Sequence, residues 1–243
     1  MVRPGSDIAR LIIEAMSMMS LETSNGDIFI LAQKIVSKAE DRLVDLNTVI
    51  PGVEAHKVSK ECEKDPRLVE LILRESRSVL RVRPGTIIVE HKLGFVCANA
   101  GIDHSNVNGP SGNAKDWVLL LPEDPDASAR RIQKSLAENY KKCVGVRIID
   151  SHGRAWRNGI VGTSIGLAGV PGVVDLRGKP DLFGYSLRIT QIGAADELAA
   201  AASLMMGQAN EGIPVVHARG FPYELRHSSI KELIRKKERD LFR

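Results

Sequence analysis

The chain has 243 residues, of which 43% are hydrophobic and 26% are charged, and 34 basic against 30 acidic residues give a formal net charge of +4. These values are typical of a folded globular protein and exclude a disordered chain, a collagen-like repeat and a disulfide scaffold. Because only 4% of the residues are aromatic and much of the positive charge lies at 230–243, we expect small anionic ligands rather than nucleic acid.

The first half of the chain combines helical spacing with short β-rich runs. Ser6 is the expected N-cap of the first helix, and the methionines of that helix are expected in the core. A loop or a short strand is expected to lead to Ser37. In chain order the patterns predict a helix over 8–19, a strand over 27–31, helices over 53–63 and 68–77, and a hairpin with strands at 86–90 and 95–98.

The second half contains two long helical patterns and a glycine-rich stretch. Glycines crowd 153–184, and the sequence predicts no regular element there. In chain order the other predictions are a loop over 108–116, a strand over 117–121, a helix over 125–140, strands over 144–149 and 187–192, a helix over 194–206, a strand over 213–218 and an amphipathic helix over 230–243.

The order of these patterns predicts a domain inserted into another domain. Helical patterns at both ends of the chain flank a β-rich, glycine-rich middle. We therefore expect a discontinuous domain made of 1–84 together with 190–243, and an inserted domain over 85–189.

Cysteine usage and apolar runs indicate the compartment. Cys62, Cys97 and Cys143 are odd in number and far apart, which predicts neither disulfides nor a structural zinc site. No run approaches the roughly 18 apolar residues of a membrane span, and charged residues interrupt the first helical pattern. We expect a cytoplasmic protein without a signal peptide or a membrane partner.

Two acidic segments follow apolar strands. Asp103 and Asn106 come after the first strand, and Asp150, Ser151 and Arg154 lie at the end of the second. Carboxylate and hydroxyl oxygens at strand ends suit Mg²⁺ or Mn²⁺, and nearby arginines would neutralise phosphate or carboxylate. The same residues could instead cap local turns, and the residues alone leave both interpretations open.

A third segment, 206–214, and an isolated lysine could contact phosphate. The segment ends a helix in glycine and has a second glycine before the next strand, so its backbone N–H groups could approach phosphates. It could equally be a helix C-cap with a connector, and it lacks P-loop spacing. Lys38 could pair with a phosphate or remain a solvated surface group.

Six segments taken together identify a protein family more specifically than any one of them does alone. They are Ile35-Val-Ser-Lys-Ala-Glu40, Asn99-Ala-Gly-Ile-Asp-His-Ser-Asn106, Leu119-Leu-Leu-Pro-Glu-Asp-Pro-Asp126, Asp150-Ser-His-Gly-Arg154, Ala195-Asp-Glu-Leu-Ala199, and Met206-Gly207 with Gly212-Ile-Pro214. In this order, between about Gly5 and Gly220, they resemble the coenzyme F420-0:L-glutamate ligase family.

The resemblance implies a fold, a reaction and its partners. The implied fold is α+β with two domains, in an intertwined homodimer. The implied enzyme uses GTP to join L-glutamate to F420-0 in a γ-glutamyl amide, with an acyl phosphate formed on the acceptor carboxylate. The implied cations are Mg²⁺ or Mn²⁺, up to two ions per site, with K⁺ as a further ion.

The resemblance also assigns roles to individual residues. The implied metal ligands are Asp103, Asp150, Ser151 and Gln208. Asp103, Asp150 and Arg154 would act in catalysis. The implied nucleotide contacts are Lys38 and Asn106 with the loop of Met206, Gly207, Gln208, Ala209, Asn210, Glu211, Gly212 and Ile213.

Three features depart from the family pattern and leave alternatives open. The sequence begins at Met1-Val-Arg-Pro-Gly5, close to where the nucleotide-contacting Gly-Leu-Pro segment of the family is expected to end. The 108–116 loop is longer than expected, and Gln208-Ala-Asn-Glu211 replaces a more glycine- and acid-rich loop. One alternative is a γ-glutamyl ligase for another acceptor, such as a folate-like cofactor. The other is a nucleotide-binding paralogue that does not catalyse.

Overall fold

The computed structural model describes residues 1–109 and 114–240, and it shows a mixed α/β protein with several sheets. The helices are α1 (Ile8–Met18), α2 (Gln33–Ala39), α3 (Val53–Cys62), α4 (Pro66–Arg74), α5 (Pro125–Tyr140) and α6 (Ala194–Met206). The strands are β1 (Ile28–Ala32), β2 (Leu43–Asp45), β3 (Ser76–Arg83), β4 (Thr86–His91), β5 (Val96–Ala98), β6 (Trp117–Leu119), β7 (Gly145–Arg154), β8 (Arg157–Ala168), β9 (Val174–Asp175), β10 (Gln191–Ile192) and β11 (Val215–Ala218).

The chain divides into two compact units. The first contains Met1–Ser6, Gln33–Glu123 and His152–Ile160, and the second contains Asp7–Ala32, Asp124–Ser151 and Val161–Arg243. This grouping differs from the predicted domains 1–84 with 190–243 and 85–189. The predicted boundary after residue 84 falls inside the turn between β3 and β4, which pair antiparallel as far as Arg83 and Thr86.

The first unit contains a three-stranded sheet, β3-β4-β5, and the short pair β2-β6. Buried side chains of α3 and α4, including Val58 and Ile72, form one cluster with Ile87 and Val89 of β4. A smaller cluster around Leu46, Leu71 and Val118 connects α4 with β6. Burial of these apolar surfaces stabilises the unit.

The second unit contains a four-stranded sheet in the order β11-β1-β7-β8, apart from the hairpin end of β7 and β8 at His152–Ile160, which belongs to the first unit. β1 runs parallel to β7 and antiparallel to β11. Ile28 and Ile30 of β1 pack with Ile149 of β7 and Ala199 of α6, so α6 covers one face of this sheet. Among the described residues no helix has the length and apolar character needed to cross a membrane.

Glycine explains why the sequence did not predict β8. Gly162 and Gly166 lie inside this strand, and a Cβ added to either would lie 2.5 Å from a backbone oxygen. The oxygen belongs to Ala199 of α6 for Gly162, and to Pro125 of α5 for Gly166. These glycines allow close helix–strand approach, whereas sequence reasoning treated them as turn signals.

Several N-terminal predictions are wrong in detail. The segment before Ser37 is helix α2, not a loop or a short strand. Asp7 is the N-cap of α1, because its carboxylate accepts the N–H of Arg10, while Ser6 accepts the N–H of Arg3. Met16 is buried as expected, but Met19 lies beyond the end of α1 and is exposed.

The predicted helix over 230–243 is replaced by two short 3-10 turns, Ile230–Glu232 and Lys237–Arg239. The buried carboxylate of Asp126 accepts hydrogen bonds from the Ser229 hydroxyl and the Ile230 N–H. These bonds anchor the segment to α5, and such tertiary contacts outweigh helical periodicity. Residues 241–243 lie outside the described residues, as do residues 110–113 of the predicted loop over 108–116.

Other predicted elements are close to the observed ones. The predicted helix over 194–206 has the bounds of α6, and the predicted helix over 125–140 has those of α5. The predicted strand over 187–192 is shorter, because only Gln191–Ile192 pairs with Val174–Asp175.

Candidate active site

In the first unit, Asp103 is held between β6 and α2. Its backbone pairs with Leu119 through two hydrogen bonds of 2.9 Å. Its carboxylate accepts a hydrogen bond from the amide of Gln33 and lies 3.3 Å from the ammonium of Lys34. Gln33 is buried, and its own amide oxygen accepts the hydroxyl of Ser37 at 2.9 Å. The predicted ligand Asp103 is therefore oriented by two residues of α2.

The loop after Asp103 is held by two lysines of the same helix. Lys38 donates to the backbone oxygen of Asn106 at 2.8 Å, and Lys34 donates to the hydroxyl of Ser105 at 3.1 Å. Burial and the neighbouring Lys34 lower the pKa of Lys38, against the opposing effect of Asp103. Two ammonium groups beside one loop suit an anionic ligand such as a phosphate. The first unit thus brings together the predicted residues Lys38, Asp103 and Asn106.

In the second unit, the end of β7 contacts the loop after α6. Ser151 donates from its hydroxyl to the amide oxygen of Gln208 at 2.9 Å. The amide nitrogen of Gln208 donates in turn to the hydroxyl of Ser203 at 2.9 Å, which fixes the orientation of the amide. The backbone oxygen of Asp150 accepts the hydroxyl of Thr163 at 3.4 Å. The predicted ligands Ser151 and Gln208 are direct neighbours.

The loop of residues 206–213 has a compact backbone. Gly207 adopts φ +72°, where a Cβ would collide with the Glu211 side chain. The carboxylate of Glu211 accepts the N–H of Ala209 at 2.8 Å. Hydrogen bonds from the N–H of Glu211 itself and from that of Ala209 lower the pKa of Glu211. Met206 is buried in the apolar cluster under α6, so its side chain faces the core.

The other predicted residues of this loop and of the β7 end are exposed. They are Ala209, Asn210, Gly212, Ile213 and Arg154. Arg154 lies at the end of β7, where its guanidinium donates to the Gly159 carbonyl at 3.4 Å. The assigned roles of these residues stay predictions.

Sequence reasoning missed Gln33 and Lys34. Both lie one turn before Ser37 and Lys38 on α2, so each pair shares a face of the helix. The i, i+4 repeat of polar and basic residues was a usable signal. It was overlooked because the segment was expected to be a loop or a strand.

The predicted metal ligands fit a hard divalent cation by their chemistry. Within residues 1–109 and 114–240, no three His, Cys, Asp or Glu side chains cluster in a way that could hold a metal. The predicted set instead offers two carboxylates, the hydroxyl of Ser151 and the amide oxygen of Gln208. All are oxygen donors of the kind that Mg²⁺ and Mn²⁺ prefer. The Ser151–Gln208 contact places two of these oxygens side by side.

A family model and individual relatives both identify the same ligase family. The model of the F420-0:Gamma-glutamyl ligase family matches residues 1–220. A coenzyme F420:L-glutamate ligase from Methanopyrus kandleri is 46% identical over 246 residues, covering 100% of this chain and 93% of the relative. The Methanothermobacter thermautotrophicus protein of that name is 46% identical, over 100% of this chain and 95% of its own length. That of Archaeoglobus fulgidus is 37% identical, with 100% and 92% covered.

Proposed function

Because this chain belongs to the F420-0:Gamma-glutamyl ligase family, we propose that it is a GTP- and divalent-metal-dependent ligase that joins the amino group of L-glutamate to a carboxylate of F420-0 in an amide bond. The observation that carries the proposal is similarity along the whole chain to relatives named coenzyme F420:L-glutamate ligase. The proposal is also supported by the contact of the predicted Lys38 with Asn106 in the first unit and by the paired oxygen donors of Ser151 and Gln208 in the second.

The proposed reaction has two chemical steps. A carboxylate oxygen of the acceptor attacks the γ-phosphorus of GTP, and GDP leaves with the electrons of the broken P–O bond. The amino nitrogen of L-glutamate then attacks the acyl carbon, phosphate leaves, and the nitrogen loses a proton to solvent or phosphate. One amide is formed for each GTP converted to GDP and phosphate.

The residues of the chain have separate tasks in this proposal. Lys34 and Lys38 bind nucleotide phosphate as point charges, and Arg154 neutralises the anionic acceptor. Asp103, Asp150, Ser151 and Gln208 would hold Mg²⁺ or Mn²⁺, which supplies positive charge to the transferred phosphoryl group. Gln33 positions Asp103 through the hydrogen bond to its carboxylate. The K⁺ ion stays a prediction.

We also propose that the protein works as a homodimer in which an exposed arm contacts the second copy. The arm is residues 176–190, between β9 and β10, and it exposes 97% of Leu182 and 94% of Phe183. The Asp181 carboxylate accepts the N–H groups of Phe183 and Tyr185 at 2.8 and 2.9 Å, which fixes the turn of the arm. Large apolar side chains on an ordered arm are typical of a protein interface.

The function is tested with purified protein, GTP, L-glutamate, F420-0 and either Mg²⁺ or Mn²⁺. Phosphate release is measured together with the mass of the acceptor. We expect a mass increase of one glutamate residue that requires GTP, glutamate and a divalent cation. Replacement of GTP by ATP, omission of glutamate and the Asp150→Asn variant are the controls.

The same experiment separates the alternatives. Modification of a folate-like acceptor in place of F420-0 would show that the chemistry is right and the acceptor is wrong. Nucleotide binding without phosphate release under every acceptor condition would indicate a non-catalytic paralogue.

A further inference from the structure

Trp156 occupies an unusual position for a tryptophan. It is the second residue of the two-residue turn between β7 and β8, and 86% of its surface is exposed. Its φ is +66°, in the left-handed region that bulky residues rarely adopt and that glycine would occupy without strain. An exposed indole held at an energetic cost indicates that the ring has a use outside the fold.

Two arginines flank this turn in the chain. Arg154 ends β7 and Arg157 begins β8, so an arginine stands at each end of the turn that carries Trp156. Both arginines are exposed. The described contact of Arg154 is a long 3.4 Å hydrogen bond to the Gly159 carbonyl, which a stronger acceptor could replace.

This combination fits a ligand with a planar ring and a nearby anionic group. Indole rings stack on flat aromatic ligands, and guanidinium groups bind phosphate oxygens. Of the three proposed substrates, L-glutamate has no ring. The predicted contacts of GTP are other residues, Lys38, Asn106 and the 206–213 loop, whereas Arg154, two residues before Trp156, is the residue already proposed to neutralise the acceptor. F420-0 carries a planar deazaflavin and an anionic phosphodiester.

We propose that the turn of Arg154, Trp156 and Arg157 is the subsite that recognises F420-0, with the deazaflavin ring stacked on Trp156 and the phosphodiester bound by the arginines. This inference rests on the proposed function, since it takes F420-0 as the acceptor. It assigns acceptor choice to a turn of the first unit, which contains all three residues.

The chain allows a direct binding test, because it contains only two tryptophans. In Trp117→Phe, Trp156 is the single tryptophan, and in Trp156→Phe the single tryptophan is Trp117. We expect F420-0, titrated without GTP or glutamate, to quench the emission of Trp117→Phe saturably and to leave that of Trp156→Phe unchanged after correction for absorption. Equal quenching in both variants, or quenching by GTP but not by F420-0, would overturn the assignment.

Trp156→Gly separates binding from folding. Glycine removes the ring and also relieves the positive φ, so its thermal midpoint should equal or exceed that of the wild type. We expect the KM for F420-0 to rise roughly tenfold or more, as is usual when a stacking ring is lost, while the KM for GTP stays within about twofold. An unchanged KM for F420-0 would overturn the inference.

The arginines and the ring can be tested separately with a deazaflavin that lacks the phosphodiester. We expect Arg157→Gln to weaken quenching by F420-0 and not by the phosphate-free deazaflavin. Equal weakening with both ligands would contradict a phosphodiester contact.

Failure of this inference can be told apart from failure of the proposed function. If wild-type protein adds glutamate to F420-0 and Trp156→Gly does so with the same KM, the function stands and the subsite is wrong. If wild-type protein does not modify F420-0, the proposed function fails, and absence of quenching would then refute the subsite independently.

Discussion

The hydroxyl of Ser151 donates a 2.9 Å hydrogen bond to the amide oxygen of Gln208, and this bond joins the end of β7 to the loop after α6. The two residues are 57 positions apart in the chain. The amide of Gln208 is itself oriented by Ser203 on α6. A hydroxyl and an amide oxygen from distant parts of the chain are thus held together.

Ser151→Ala should therefore weaken metal-dependent activity. The variant removes one proposed ligand and the hydrogen bond that positions Gln208, so we expect activity at fixed metal to fall roughly 10- to 100-fold. Ser151→Thr keeps the hydroxyl and should remain close to wild type. The measurement is activity against Mn²⁺ concentration, with Mn²⁺ binding followed by electron paramagnetic resonance. A Ser151→Ala curve that overlays the wild-type curve would contradict a metal role for this hydroxyl.

Asp27 should make the protein sensitive to acid. Burial alone would raise the pKa of Asp27, but hydrogen bonds from Arg219, the Ser24 N–H and His217 outweigh it and lower the pKa to about 2. A lowered pKa stabilises the fold above the unfolded-state value near 4, and this stabilisation is lost as the pH falls toward 2. We expect a loss of about 2 kcal/mol in the free energy of unfolding across that window.

Denaturant unfolding between pH 7 and pH 2 measures this loss. Asp27→Asn is the matched variant, because it cannot titrate. It should be less stable than wild type at pH 7, and the difference should shrink as the pH falls. A constant difference at all pH values would show that Asp27 does not titrate with an altered pKa.

Gly166→Ala should destabilise the second unit. The added Cβ would lie 2.5 Å from the Pro125 oxygen and 2.6 Å from its carbonyl carbon. Because these are backbone atoms, relieving the clash would require the backbone of α5 or β8 to shift. We expect a cost of about 1–3 kcal/mol, measured by thermal or denaturant unfolding. Gly153→Ala, where nothing lies within 4 Å of the added Cβ, is the control and should cost much less. Similar stabilities for the two variants would mean that close packing of β8 on α5 is not required.

The same glycines show where sequence reasoning succeeds and where it does not. α5 and α6 were predictable because each is longer than ten residues and has apolar residues at helical spacing. β8 was not predictable from local sequence. Its glycines are required because the backbones of α5 and α6 pack closely against the strand, and the residues around a glycine do not show which distant backbone will lie next to it. Helix α2 has only seven residues, which is too short for periodicity to distinguish it from a strand.

In the candidate site, too, some residues could be predicted and others could not. Asp103, Lys38 and Asn106 come from segments that are about 70 residues apart in the chain, and the hydrogen bond between Lys38 and Asn106 could not be inferred from spacing. Their assignment came from the family resemblance. Gln33 and Lys34 were missed because their meaning depends on α2 facing Asp103, which is a tertiary relationship.

The exposed arm gives the last prediction, which concerns assembly. Leu182 and Phe183 are almost fully exposed, so replacing both with serine should not cost stability within one chain. If the arm contacts a second copy, the double variant loses apolar area at the interface and should dissociate to the monomer mass at micromolar concentration. Light scattering coupled to size exclusion measures the mass.

Ile50→Ser is the matched control for the arm. Ile50 is 82% exposed on the first unit and lies outside the arm, so the variant loses a similar exposed side chain and should keep the wild-type mass. A dimer that survives the Leu182→Ser, Phe183→Ser double substitution would place the interface on another surface. A wild-type monomer would instead refute the proposed homodimer, and the exposed arm would then need a different partner, because apolar side chains on an ordered turn are not stabilised by water.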